Sequence, residues 1–260
     1  MELIQDEGAK ELLHANSHLF KLIYNYVSSM SLRCAVELDI PEIIHKHGRP
    51  ITLSELVSAL EIHPPKVHGL FRLMRLLVHS GFFSTKKVQG EEAYSLTSSS
   101  KMFLKEKSYC YTPLVLALTD PVFVNPCHFL SHWFRGNNEL ATFQTAHDGL
   151  NFWDYAEKNP EFNNLFNEAM ACDSQMANLI VKDCKPVFQG LSSLVDVGGG
   201  TGSFARIISE AFPGIKCTVL DRAHVVPNLP DNENLKFIAG DMFQFIPPAD
   251  AFFFKVMKLQ

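Results

Sequence analysis

The feature that most constrains the fold is a glycine-rich turn between an apolar strand pattern and a helical one. Residues 195–202 read Val-Asp-Val-Gly-Gly-Gly-Thr-Gly, and the helical pattern of residues 203–212 follows at once. Glycine lacks a Cβ and tolerates positive φ, so the backbone of such a turn can press against a ligand. The next helix presents its free N–H groups and the positive end of its dipole. The turn therefore predicts a binding site for a nucleotide-type cofactor.

An alternation of strand and helix patterns continues after this turn, which is typical of a parallel sheet flanked by helices. The predicted strands are residues 194–197, 216–220, 235–239 and 251–254. In open parallel sheets the ligand lies beyond the carboxyl ends of the strands. Charged residues fall at or near these predicted ends, namely Asp196, Asp221, Asp241 and Lys255. We expect them to share the rim of one cleft.

Two cofactor classes fit the glycine turn. The dinucleotide fingerprint G-x-G-x-x-G requires a third glycine, where this chain has Ser203. Asp221 suits both classes, because NAD and S-adenosylmethionine each contain adenosine. The pair Asp241 and Met242 favours S-adenosylmethionine, since the carboxylate can accept from the adenine amino group while the thioether packs on the ring. NAD remains the alternative at this point.

The first part of the chain predicts a winged-helix unit. A helical period runs through residues 19–38, and the prolines at 64–65 open a further helix. Residues 82–84 and 93–96 then indicate a hairpin across a polar loop at 86–92. Proteins that bind DNA make many phosphate contacts, and the second helix offers only two arginines. The apolar helices favour an association surface instead.

Composition narrows the class of protein further. The N-terminus lacks the basic start and apolar run of a signal peptide, and no apolar stretch approaches the roughly 20 residues of a membrane span. The six cysteines show no metal-ligand spacing. The formal net charge of −5 gives no support to a nucleic-acid partner. We expect a cytoplasmic protein with no bound metal.

Residues 108–153 are rich in aromatic side chains and prolines. Such a stretch could form the wall of a pocket for a flat aromatic ligand. The alternative is that these rings are ordinary core, and the sequence leaves both interpretations open.

Taken together, the motifs at 195–202, 212–221 and 239–243 resemble the plant small-molecule O-methyltransferases, most closely those acting on isoflavonoids, stilbenes and related phenols. The likeness covers the whole chain. It implies a winged-helix domain at residues 1–110 that forms a homodimer, and an S-adenosylmethionine-binding domain with a class I, Rossmann-like parallel sheet at residues 111–260. It also implies transfer of a methyl group from S-adenosylmethionine to a phenolic hydroxyl of a plant secondary metabolite.

The resemblance assigns separate residues to the methyl donor and to the phenol. The donor residues are Gly198 and Gly200 for the methionine part, Asp221 for the ribose hydroxyls, Asp241 and Met242 for the adenine, and Lys255 along the adenosine edge. The phenol would lie near Phe123, Phe129 and Met170.

The chain departs from the family pattern close to its last residue. The family has a general-base histidine four places after the lysine, and Leu259 stands at that position here. A phenol with a pKa near 10 must lose its proton as its oxygen attacks, and leucine cannot accept one. We therefore expect no catalytic residue at this position and little turnover.

The family sheet has further strands, so we also expect a shortened chain with its fourth strand at an apolar sheet edge. The alternative function is an inactive dimerisation partner of full-length methyltransferases.

Overall fold

The computed structural model describes residues 7–106, 110–137, 140–175, 181, 183–226 and 230–255 of the 260-residue chain. It divides into two compact units, Met1–Lys105 and Glu106–Gln260. Lys105, the last residue of the first unit, is bonded within that unit. Its N–H donates to Glu42 Oε1 at 2.5 Å, and its Nζ lies 2.7 Å from Asp39 Oδ2.

The first unit has the elements of a winged helix, as predicted. They are α1 (Glu7–Glu37), α2 (Ile40–His47), β1 (Ile51–Thr52), α3 (Leu53–Ala59), a 3-10 turn (Pro64–Lys66), α4 (Val67–His79), β2 (Phe83–Val88), β3 (Glu91–Leu96) and α5 (Ser98–Lys101). The three strands form an antiparallel sheet in the order β1-β3-β2. The predicted polar loop at 86–92 is wrong. The strands continue to a two-residue turn at Gln89 and Gly90, whose φ values of 53° and 89° suit a tight hairpin.

Helix α1 leaves much of its apolar surface exposed, although it begins well before the predicted residue 19. The exposed side chains include Leu12, Leu19, Phe20, Ile23, Tyr24 and Tyr26. Many large exposed apolar side chains on one helix are typical of an interface between protein chains.

The second unit places a helical segment before the parallel sheet. Its elements are α6 (Thr112–Leu118), α7 (Pro121–Val124), a 3-10 helix (Asn125–Phe129), α8 (Leu130–Arg135), α9 (Thr142–Ala146), α10 (Phe152–Lys158), α11 (Pro160–Gln175), α12 (Lys185–Phe188), β4 (Ser193–Val197), α13 (Ser203–Ala211), β5 (Lys216–Asp221), β6 (Leu235–Ala239) and β7 (Ala251–Phe254). The four predicted strands are confirmed to within one residue at each end.

The parallel strands lie in the order β6-β5-β4-β7, so the direction of the connections reverses beside β4. Val197 pairs with Leu220 on one side and with Phe254 on the other. This reversal opens a crevice at the carboxyl ends of the central strands, which is where ligands of such sheets bind.

Within the described ranges, no single helix is both long enough and apolar enough to cross a membrane. Helix α6 and residues 121–135 meet the criterion of length and composition only as a pair bent by 45°.

Candidate functional site

The glycine turn after β4 is held against the end of β5 by hydrogen bonds from its backbone N–H groups. Gly198 N–H donates to the Leu220 carbonyl at 2.8 Å, and Gly200 N–H donates to Asp221 Oδ2 at 2.7 Å. Gly198, Gly200 and Gly202 have φ values of 69°, 59° and 76°. These left-handed conformations are ones that glycine adopts without steric cost.

At two positions of the turn, close packing leaves no room for a residue larger than glycine. A Cβ on Gly199 would lie 2.6 Å from Asp196 Cγ, and a Cβ on Gly202 would lie 2.7 Å from Phe237 Cε1. A Cβ on Gly200 would meet no atom within 4 Å, because this residue borders open space. The turn is thus closed toward the sheet and open toward the cleft.

Asp196 lies directly beneath this turn with only 2% of its surface exposed. Burial raises the pKa of its carboxyl to about 7, and the charge of Asp221 acts in the same direction, while the Ala205 N–H and Lys255 oppose the shift. No described residue donates a hydrogen bond to its Oδ2. A buried oxygen without a partner is unusual and is often a sign of a ligand, ion or water site.

Asp221 ends β5 and orients the neighbouring loops. Its Oδ1 accepts from Arg222 N–H at 2.7 Å, and its main-chain oxygen accepts from Gly240 N–H at 2.9 Å. Burial raises the pKa of this carboxyl, and the bonds from the Arg222 and Gly200 N–H groups partly offset that effect. At the end of β7, Lys255 Nζ donates to the Met170 carbonyl at 3.1 Å.

Two adjoining cavities occupy the crevice at the strand ends. The first is lined by the glycine turn, Asp196 and Lys255. The second is lined by Asp241 and Met242. Residues that line both cavities are Trp153, Gly198 and Asp221. The two cavities together form one elongated cleft along the ends of β4, β5 and β6.

The structure brings the predicted donor residues together in this cleft. Those on the first cavity are Gly198, Gly200, Asp221 and Lys255, and those on the second are Gly198, Asp221, Asp241 and Met242. Their assignment to parts of a donor stays a prediction.

The residues predicted for the phenol do not all reach the cleft. Met170 lines the first cavity, whereas Phe123 and Phe129 are not among the described residues that line either one. Phe123 packs instead in an aromatic cluster, with its ring centroid 5.7 Å from that of Phe162 and 6.1 Å from that of Phe166. Leu259 lies outside the described residues.

Asp196 lines the first cavity, in line with its predicted position at the rim, and Trp153 is the last residue of the predicted aromatic stretch. Sequence reasoning assigned no site role to Phe166, which also lines this cavity. One signal for Phe166 was available, because it lies four residues before Met170 on α11 and therefore on the same helix face. In the part of the chain that is described, no group of three or more His, Cys, Asp or Glu side chains could hold a metal ion.

Two family models match the chain. Residues 20–106 match an O-methyltransferase dimerisation domain, and residues 128–258 match an O-methyltransferase domain. Together these matches include most of both structural units.

Curated relatives and a solved structure agree with these matches. The chain is 49% identical to trans-resveratrol di-O-methyltransferase of Vitis vinifera, over 98% of this chain and 72% of the relative. It is 51% identical to 8-hydroxyquercetin 8-O-methyltransferase of Mentha piperita, over 95% of this chain and 70% of the relative. The fold resembles that of human N-acetylserotonin methyltransferase in complex with SAM, with a TM-score of 0.75 and 19% identity over 99% of this chain and 73% of that one.

These alignments cover nearly all of this chain and do not confirm the prediction that it is shortened. The predicted loss of turnover is not tested by them.

Proposed function

This chain belongs to the O-methyltransferase family, and from that premise we propose that its cleft binds S-adenosylmethionine for methylation of a phenolic hydroxyl. One observation carries the proposal. A single cleft at the reversal point of the sheet contains the glycine turn at one end and Asp241 with Met242 at the other, with Asp221 between them.

The adenosine part of the donor would lie in the second cavity. The Asp241 carboxylate, held by a 2.9 Å bond from the Phe243 N–H to its Oδ1, would accept from the adenine amino group. Met242 would pack on the ring. Asp221 would bind the ribose hydroxyls, and the N–H groups of Gly200 and Arg222 hold its carboxylate in place for this task.

The methionine part would lie in the first cavity. Gly198 and Gly200 would contact it through the backbone, and Lys255 borders the same space. Asp196 lines the same cavity.

The acceptor would lie beside the first cavity, against the side chains of α10 and α11. Met170 and Phe166 line this wall, and Phe123 would support Phe166 from behind in the aromatic cluster. Phe129 would belong to the same side of the site. The names of the relatives, which act on resveratrol and 8-hydroxyquercetin, support a flat phenol as substrate.

When bound, the donor supplies an electrophilic methyl group. The chain contributes by holding donor and phenol in line, and such positioning accounts for a large share of the rate of two-substrate enzymes. A phenol near pKa 10 also needs a base, and positioned proton transfer is worth roughly 10² to 10⁴ in rate. Because Leu259 stands at the family's histidine position, low turnover stays our prediction.

The first unit would form a homodimer through its dimerisation domain, and the exposed apolar residues of α1 support this assembly.

A cytoplasmic location is part of the proposal. None of the six cysteines forms a disulfide, which is usual in a reducing compartment. A fluorescent fusion of the chain would test the location.

Calorimetry on the purified chain tests the proposal, with S-adenosylmethionine, S-adenosylhomocysteine and NAD as ligands. We expect both sulfur compounds to bind at one site per chain and NAD to give no heat. The Asp221→Ala variant should weaken both by about tenfold, because it removes a carboxylate acceptor for the ribose. Lys216→Ala, at the opposite end of β5, serves as the control. NAD binding with no uptake of the sulfur compounds would overturn the proposal.

A methyl-transfer assay with resveratrol separates binding from turnover. Donor binding without product is the expected result, and it would favour the inactive dimerisation partner as the role of this chain. Turnover equal to that of the Vitis vinifera relative would contradict the predicted impairment and leave the donor site intact.

A further inference from the structure

We infer that the indole ring of Trp153 distinguishes the cationic methyl donor from its neutral product, S-adenosylhomocysteine. This inference deepens the proposed function and rests on it.

The junction of the two cavities locates the relevant part of the donor. Only three described residues line both cavities, namely Trp153, Gly198 and Asp221. A donor with its adenine at Asp241 and Met242 and its amino-acid part at the glycine turn must cross this junction with its middle. The middle of S-adenosylmethionine is the sulfonium, which joins the ribose to the methionine chain.

The chemistry of an indole suits a sulfonium. The faces of aromatic rings attract cations, and tryptophan does so most strongly among the side chains. Once the methyl group has left, the sulfur is a neutral thioether and that attraction is lost. A ring at the junction therefore stabilises the substrate form of the cofactor over the product form.

The other rings in the cleft are less suited to this role. Phe166 and Phe204 line the first cavity, and Phe243 lines the second. The Phe204 ring stacks on Phe253 with centroids 3.9 Å apart, so one of its faces is covered. Among the described aromatic residues, Trp153 is the one that borders both cavities.

Trp153 is held in place by its own helix and by neighbouring rings. Asn151 caps α10, accepting from the Asp154 N–H at 3.0 Å, and its Nδ2 donates to Asp154 Oδ2 at 2.7 Å. The Trp153 ring lies 4.8 Å from Phe152 and 6.4 Å from Phe166, measured between centroids. A ring fixed before the ligand arrives loses little conformational entropy on binding.

Asp221 also attracts a cation at the junction, so the test must vary the ring while the carboxylate is kept. Trp153→Leu removes the aromatic face, and Trp153→Phe keeps a smaller one. Trp133→Leu is the matched control, because this tryptophan lies on α8 with 40% of its surface exposed and lines neither cavity.

The measured quantity is the ratio of the two dissociation constants, S-adenosylmethionine over S-adenosylhomocysteine, by calorimetry on the full chain. We expect Trp153→Leu to raise this ratio by roughly five- to twentyfold, and Trp153→Phe to raise it less. Trp133→Leu should leave the ratio unchanged. Equal weakening of both ligands in Trp153→Leu, or no weakening, would overturn the inference while the proposed function stands. Absence of binding of both ligands to the natural chain would overturn both.

A second measurement covers the case in which Trp153→Leu does not fold. The chain has two tryptophans, so in Trp133→Phe the tryptophan fluorescence comes from Trp153 alone. We expect saturating S-adenosylmethionine to change this emission more than saturating S-adenosylhomocysteine does. Equal changes would contradict contact between the indole and the charged sulfur.

Discussion

On one face of the parallel sheet, Leu194, Val219 and Leu235 are buried beneath α13, whereas on the other face Phe252 and Phe254 are 48% and 51% exposed. Among the described residues, the core on the first face comprises ten buried residues from the sheet, α13 and neighbouring segments. On the second face three buried residues, Val195, Val197 and Leu220, pack against Met242, Ile246 and Ala249.

This difference bears on the two ends of the cleft. The glycine turn and Asp196 belong to the densely packed face, where α13 begins directly after the turn. Met242 belongs to the thinner face. The end of the cleft at the glycine turn is therefore a preformed surface, whereas the end at Met242 is formed by residues with fewer packing constraints.

The largest expected effect comes from breaking the packed face at the start of α13. Gly202→Ala places a methyl group 2.7 Å from Phe237 Cε1 at a residue with φ of 76°. Strain and overpacking should together lower the free energy of unfolding by about 3 kcal/mol, measured by urea denaturation. Gly214→Ala is the control, since its Cβ would meet no atom within 4 Å and its φ is not positive. Similar losses in both variants would show that the close contact with Phe237 does not matter.

Substitutions at two adjacent residues of β7 allow a direct comparison of the two faces of the sheet. Phe253 stacks on Phe204, whereas Phe252 points to the opposite, exposed face. Phe253→Ala should cost about 2 kcal/mol of unfolding free energy, and Phe252→Ala less than about 1 kcal/mol. Thermal and urea denaturation of the pair measure the difference. A larger loss in Phe252→Ala would reverse the comparison between the faces.

The sheet could be predicted from the sequence because the signals for its strands lie in short, continuous segments of the chain. Each strand is a short apolar run, the glycine turn follows β4 immediately, and Asp221 ends β5. The position of Trp153 depends instead on how α10 lies beside the strand ends, which no local pattern reports. The same dependence explains why Phe123 lies in the aromatic cluster and not on the cleft. The hairpin between β2 and β3 was predicted with too long a loop because its strands are polar near the turn.

The titration of Asp196 tests the packed face, because ionising a carboxyl buried there changes the free energy of unfolding. Burial raises the pKa of this carboxyl to about 7 in the folded chain, whereas in an unfolded chain an aspartate titrates near 3.9. At pH values between these two pKa values, the Asp196 carboxyl is protonated in the folded chain and ionised in the unfolded chain. The contribution of this group to the free energy of unfolding is therefore greatest at low pH and falls as pH rises. We expect a loss of about 2 kcal/mol between pH 5 and pH 8, measured without ligand.

Asp196→Asn should flatten this pH dependence, leaving the smaller contribution of Asp221, whose pKa is also raised by burial. Asp250→Asn is the control. Asp250 lies at the opposite end of the sheet, where hydrogen bonds from Ser192 and Ser193 lower its pKa, so it does not titrate in this range. An unchanged slope in Asp196→Asn would show that the buried carboxyl is not the group that titrates.

The smallest effect on stability is expected on the exposed face. In the described part of the chain β7 pairs with β4 alone, so Phe252 and Phe254 lie on an edge strand. Exposed apolar edge strands promote self-association. Because threonine also suits a strand, the double variant Phe252→Thr, Phe254→Thr should change the unfolding free energy by less than about 1 kcal/mol, the usual range for surface positions. Light scattering and dye binding at matched concentration should nevertheless decrease. Undiminished scattering in the double variant would show that self-association does not start at β7. The exposed apolar side chains of α1 would then be the next surface to alter.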